Sequence, residues 1–321
     1  MIDFRYHLVS LISVFLALAV GIALGAGPLK ETIGESLTGQ VERLRGEKEA
    51  LRSDVDAARR ALNNEQAFID QSAGPLLAGR LTDRRVVVIE LGPIPDETVA
   101  AVVARLTQAD ALVTGHVRLT DTWTDQAQRP YRTALSGSLT PYLDTVPQGV
   151  STEGVLAMSI VQGLVGADEA DPTRLSDSAS MLLDLLASGD HPLVVMDEQI
   201  IEAADAIVVI APPLPAASKT KPTPPSDAVQ AARLAVVTAA ASGSAGAVLV
   251  DGSRGEGALV DALLNDVTLR DTVTTVSGVS AVSAQVTVPM ALAAQIAGTV
   301  GHYGFGESET VLPPTLVGVA G

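Results

Sequence analysis

The chain has 321 residues, with 37 acidic against 21 basic side chains and a formal net charge of −16. That balance disfavours nucleic acid as a partner, because phosphate contacts need a basic footprint. Cysteine is absent, which excludes disulfides, thiolate metal sites and a cysteine nucleophile.

The first stretch of interest is the N-terminus. From Leu8 to Gly27 the only polar side chains are Ser10 and Ser13, and none is charged. That is about the 20 residues a helix needs to cross a bilayer core. No later segment has an apolar run as long. A secretory signal peptide would show a basic leader and a small-residue cleavage site. Here Arg5 is offset by Asp3, and Gly27-Pro28 is poor for cleavage. Residues 1–29 therefore read as a retained anchor, with a cleaved signal as the alternative. Both place the bulk of the chain outside the cytoplasm. Lys30 on the far side weakens the charge bias, so the opposite topology stays open. Gly21 and Gly25 form a G-x-x-x-G, a spacing that lets two spanning helices touch.

Residues 30–73 follow as a charged stalk. Core positions of a heptad fall at Leu37, Val41, Leu44, Lys48, Leu51, Val55, Leu62 and Ile69. Charged residues surround them, with Arg45, Arg52 and Arg59 beside the seam as partner-facing charges. This predicts a parallel homodimeric coiled coil. The simpler reading is one amphipathic helix lying back on its own domain. Gly74-Pro75 and Gly79 are expected to break the helix.

From residue 80 to 321 strands alternate with helices. Strands are expected at Arg85–Leu91, Ala111–Leu119, Leu193–Asp197, Asp205–Ala211 and Ala247–Asp251, with an edge strand at Val273–Val276. Helices are expected from Pro95 to Gln108, Ser151 to Val165, Ser176 to Ser188, Asp227 to Ala241, Glu256 to Asn265 and Pro289 to Val300. The stretch from Trp123 to Asp144 reads as mixed and turn-rich, and Pro212 to Pro225 as a long proline-rich loop. Near-continuous Val/Ile strands alternating with helices mark a mostly parallel, Rossmann-like α/β sheet with helices on both faces. A sub-lobe boundary near residue 150 is an option. A membrane β-barrel would need many alternating apolar and polar stretches of about ten residues, and they are not there.

Chemistry is sparse. Asp251 to Gly257 (DGSRGEG) joins a strand to a helix, where α/β sheets bind ligands, but no G-x-G-x-x-G or phosphate loop is present. A tight turn is the better reading. Of the four histidines, His116, His191 and His302 are the candidate metal ligands, and no two stand at ligand spacing. The methionines after Met1 are isolated and read as core fillers. With no G-x-S-x-G and no H-E-x-x-H, nothing argues for an enzyme. The tail Gly301-His302-Tyr303-Gly304-Phe305-Gly306 reads as a packed turn, with pocket lining or docking on a partner chain as the alternative.

The opening MIDFRYHLVSLISVFLALAVGIALGAGPL, the heptads after it and the GHYGFG tail resemble the actinobacterial MctB/SteB-like family. The resemblance covers nearly the whole chain and implies one of two functions. One is copper efflux and copper resistance, with copper as the metal handled. The other is a role in cell division and cell separation, with a SteA-like membrane protein and a coiled-coil peptidoglycan hydrolase as partners. Soft Cu(I) prefers clustered Cys, Met or His, and a channel needs a barrel or several spans. The residues therefore favour a single-pass, anchored, homodimeric envelope scaffold. Copper transport is the alternative and a small-ligand sensor the third reading.

Overall fold

A computed structural model describes residues 4–26, 28–214, 225–252, 254–255 and 257–314, and it falls into two compact units, Met1–Glu65 and Gln66–Gly321. Most of the expected proline-rich loop, 215–224, lies outside the described residues, as do Ser253 and Glu256.

The first unit is helical. Helix α1 is Phe4–Ala26, and α2 is Pro28–Leu77, of which the first unit holds the part up to Glu65. The apolar side chains of α1 are exposed all round, Leu11 at 60% and Phe15 at 62% among them. A helix apolar on every side needs lipid or protein around it. Ser13 satisfies its hydroxyl within the helix, donating to the Val9 carbonyl at 2.8 Å.

The second unit is an open seven-stranded sheet in the order β3-β2-β1-β4-β5-β6-β7. Its strands are β1 (Arg85–Glu90), β2 (Leu112–Leu119), β3 (Val194–Met196), β4 (Ala206–Ala211), β5 (Gly246–Asp251), β6 (Thr274–Ser277) and β7 (His302–Tyr303). Every pairing is parallel except β2 with β3. The helices are α3 (Asp96–Gln108), α4 (Arg129–Leu139), α5 (Thr152–Val165), α6 (Asp177–Ala187), α7 (Asp227–Gly243), α8 (Leu259–Asn265), α9 (Val267–Arg270) and α10 (Val282–Ile296).

Two apolar layers hold the sheet. On one face Val87, Ile89, Val209 and Leu249 pack with α4 to α8. On the other Val86, Val88, Val208 and Val250 pack with α3, α10 and the end of α2, which contributes Ala73 and Leu77. At the opposite end of the strands from their carboxyl termini, Arg85 and Asp205 lock β1 to β4. Arg85 Nη2 donates to Asp205 Oδ1 at 2.7 Å, and the Arg85 backbone N–H donates to Oδ2 at 2.9 Å. Burial pushes the Asp205 carboxyl up, but the Arg85 bonds outweigh it and hold it below its usual value.

Local chemistry explains several boundaries. Ser151, Ser176 and Ser226 each cap a helix by accepting from the N–H three residues on, at 3.0, 3.2 and 3.4 Å. The cap of α7 is thus Ser226, and Asp227 is the acid of its first turn.

Other expectations are corrected. Helix α2 runs through Gly74-Pro75 to Leu77, and Gly79, at φ +74°, ends it. Helix α10 starts at Val282 and carries Pro289 in its interior. The turn-rich stretch contains α4, ordered because buried Arg132 donates to the carbonyls of Thr122 and Asp125 at 2.9 and 2.6 Å. Strand β6 is not an edge, since β7 pairs with it.

Replacing Leu77 by Ala is expected to cost about 2–5 kcal/mol, because it opens a cavity in a filled layer. Leu76→Ala, on an exposed side chain, is expected to stay within about 0.5 kcal/mol. Denaturant unfolding of the full chain in detergent reads both.

Candidate functional site

Polar groups that the sheet cannot exclude collect at the carboxyl end of its strands. Glu90 closes β1 and is 1% exposed. In register it sits beside Arg118 of β2, while His116 sits beside Val88. Residues two apart on a strand share a face, so His116 and Arg118 both flank the Glu90 carboxylate. His116 Nε2 makes a close ion pair with Glu90 Oε1, and Arg118 Nε approaches Oε2 at 3.4 Å. On the other side of the ring, Nδ1 faces Asp197 Oδ2 at 3.4 Å, just beyond β3. Gly115 allows the close approach of this edge to Ile200, since a Cβ there would stand 2.5 Å from Ile200 Cδ1.

The pair with Glu90 raises the His116 pKa above its usual value; burial opposes this, and Asp197 adds to it. An imidazole flanked by two carboxylates, which favour its protonated form, is a structural arrangement as it stands. The folded state holds this proton more tightly than the unfolded chain does. Its stabilisation is therefore complete below the unfolded pKa of about 6.5 and is lost as pH rises through the higher folded value.

The other candidate metal ligands lie elsewhere. His191 precedes β3, is exposed, and meets Tyr131 edge-on with ring centroids 6.2 Å apart. His302 opens β7, five strands from His116, or about 24 Å at the usual strand spacing. Its Nδ1 lies 3.0 Å from Thr275 Oγ1, and burial lowers its pKa. His116, His191 and His302 are thus not brought together. Among the described residues, no group of three or more His, Asp or Glu is arranged to hold a metal ion.

The remaining sequence candidates are quickly placed. Asp251 Oδ2 accepts from the N–H groups of Leu259 and Val260 at 2.9 and 3.2 Å. A carboxylate therefore occupies the donors that a phosphate would use at this strand–helix turn. The tail packs as a turn: Tyr303 is 2% exposed, and buried Glu309 accepts from Ser277 Oγ and from the Gly306 N–H, both at 2.8 Å.

In the first unit, among the described residues, nothing beyond the helix's own nearby backbone stands within 4 Å of a Cβ built on Gly21 or Gly25. Val41, Leu44, Leu51, Val55 and Leu62 are between 44% and 65% exposed along one stripe of α2, with exposed Lys48 among them. Arg45, Arg52 and Arg59 are exposed beside it. Leu37 lies on α2, but its side chain is outside the described residues. Ile69, expected to extend the seam, instead packs against the α/β body. Glu90 carried one visible signal in the sequence, an acid ending an otherwise apolar strand; its ion pairs did not.

The family described as "Copper transport outer membrane protein, MctB" matches residues 1–314. The chain belongs to the MctB family. Relatives described as "Copper transporter MctB" from Mycobacterium bovis and Mycobacterium tuberculosis are 30% identical over 317 residues, covering 96% of this chain and 97% of theirs. One of that description from Mycobacterium leprae is 30% identical over 334 residues, covering 97% of this chain and 98% of its own. Consistent with membrane association of the MctB family, α1 holds one stretch, Phe4–Gly25, long and apolar enough to cross a bilayer. The described residues of the body do not form a membrane barrel: the sheet is open, mostly parallel and covered on both faces.

Exchanging Glu90 for Gln is expected to lower the His116 titration midpoint, read by NMR of the ring protons. His116→Gln is expected to flatten the stability loss that the wild type shows as pH rises above about 6.5.

Proposed function

We propose that this chain acts in copper handling at the cell envelope, as a single-pass anchored accessory rather than as the pore. The near full-length match to the MctB family, from the apolar helix to residue 314, carries the reading. The relatives' description as copper transporters supplies copper, and the open covered sheet argues against a channel wall. No step is assigned to a copper ion bound in the body, because the three histidines are dispersed and cysteine is absent. Copper is cargo or signal for the assembly in which the chain works.

Deleting the gene is expected to lower the copper concentration at which the host grows, and the wild-type chain restores it. A His191→Asn, His302→Asn double variant is expected to restore it equally. Unchanged copper tolerance on deletion would overturn the reading, and failure of the double variant would return the histidines to the copper path.

The exposed stripe on α2 favours a second, compatible reading: a parallel homodimeric coil that serves as a scaffold for envelope partners, including those of cell division, with Arg45, Arg52 and Arg59 as the selecting charges. An anchor on each copy keeps the copies parallel. The absence of native cysteine makes this simple to test. Leu51→Cys, on the seam, is expected to give a disulfide-linked dimer in membranes, and Ser53→Cys, on the opposite side, is not. Equal cross-linking of both, or of neither, would remove the coil.

A further inference from the structure

The strand order changes direction at β1 and β4. From β1 the chain steps outward to β2 and β3, then returns to place β4 on the other side of β1. In open α/β sheets the crevice outside the carboxyl ends at such a switch point is where ligands bind. Here the segments leaving β1 and β4 part around a cavity of about 260 Å³, roofed by α7 and the approach to α8.

Among the described residues, one charged side chain lines it. Arg233 of α7 is half-buried, and its Nε is buried with no hydrogen-bond partner among the described residues. Its Nη2 lies beside Gly92, where a Cβ would stand 3.5 Å from it and 3.4 Å from Pro212 Cγ. Both are ordinary contact distances, so it is the backbone at φ +153°, and not room for the guanidinium, that favours glycine at position 92. Burial disfavours the Arg233 charge, and attraction to Asp251 only offsets part of that. A half-buried guanidinium whose buried Nε lacks a partner among the described residues suits an anion.

The walls decide which anion. Pro93, Pro212, Pro213 and Pro225 line the crevice, and proline has no backbone N–H. A phosphate site collects several N–H donors around three oxygens, and these walls supply none from prolines. Among the described lining residues, the side-chain donors are Arg233 and Gln230. A planar guanidinium matches the two oxygens of a carboxylate, and pyrrolidine rings pack against a short apolar body. The volume lies just under the range of drug-sized pockets, which limits the ligand to a few heavy atoms.

We propose that this crevice binds small organic monocarboxylates, with Arg233 holding the carboxylate and the proline walls packing against its apolar body. The site is separate from the His116 cluster and is independent of the copper reading.

The full chain in detergent is titrated by calorimetry with 3-methylbutanoate, with its neutral amide 3-methylbutanamide and with inorganic phosphate. Saturable binding of the carboxylate is expected, with the amide and phosphate each at least tenfold weaker. Arg233→Gln is expected to weaken the carboxylate at least tenfold, and Arg233→Lys less. No saturable carboxylate binding, amide binding as tight as the carboxylate, or phosphate binding as tight as the carboxylate would each overturn the proposal. The ligand comparisons use the wild-type chain, so they decide the matter even where an Arg233 variant fails to fold.

Discussion

The central strands β1, β4 and β5 are buried on both faces, and most of what the molecule does elsewhere follows from that constraint. A strand of continuous Val and Ile has no side to show to water, so helices must cover both faces of the sheet. The chain meets this demand with α4 to α8 on one face and α3, α10 and the end of α2 on the other. Ala73, Leu77 and Leu81 are therefore part of the core, not a linker. Pro75 is tolerated inside α2 because one lost hydrogen bond costs less than uncovering that face.

The same constraint pushes polar chemistry to the strand ends. Glu90 and Asp251 are both 1% exposed, and a buried carboxylate must be compensated. Each is: Glu90 by His116 and Arg118, Asp251 by the N–H groups that open α8. Both solutions use the acid structurally. At the switch point the arrangement differs, because Arg233 brings a charge whose Nε has no partner among the described residues. That difference separates a filled cluster from a crevice with an unused donor.

Membership of the MctB family sits beside a body with little visible copper chemistry. Copper(I) sites gather soft ligands within bonding distance of one centre. Here β2 and β7 hold His116 and His302 at opposite sides of the sheet, and both rings already have partners. The apolar side chains of α1 and of one stripe of α2 are exposed among the described residues, which is consistent with the membrane association of the family.

Elements whose causes are local could be read from neighbouring residues. Val/Ile runs announced β1, β4 and β5, serines three residues before free N–H groups announced the starts of α5 and α6, and Gly79 ended α2. The apolar run of α1 needed no tertiary context either, since its length and lack of charge are what a bilayer selects. Only the tertiary structure decided the rest. Helix α4 forms because Arg132 finds carbonyls 7 and 10 residues away, and β7 is a strand of two residues that exists only because β6 lies beside it. Ile69 obeyed the heptad in sequence yet packs on the body. The pairings of Glu90 with His116 and Arg118 join residues 26 and 28 apart in chain but on different strands, and Arg233 reaches Gly92 across more than a hundred residues. Periodicity and caps are written in neighbouring residues; ion pairs and crevices depend on which strands the fold sets side by side.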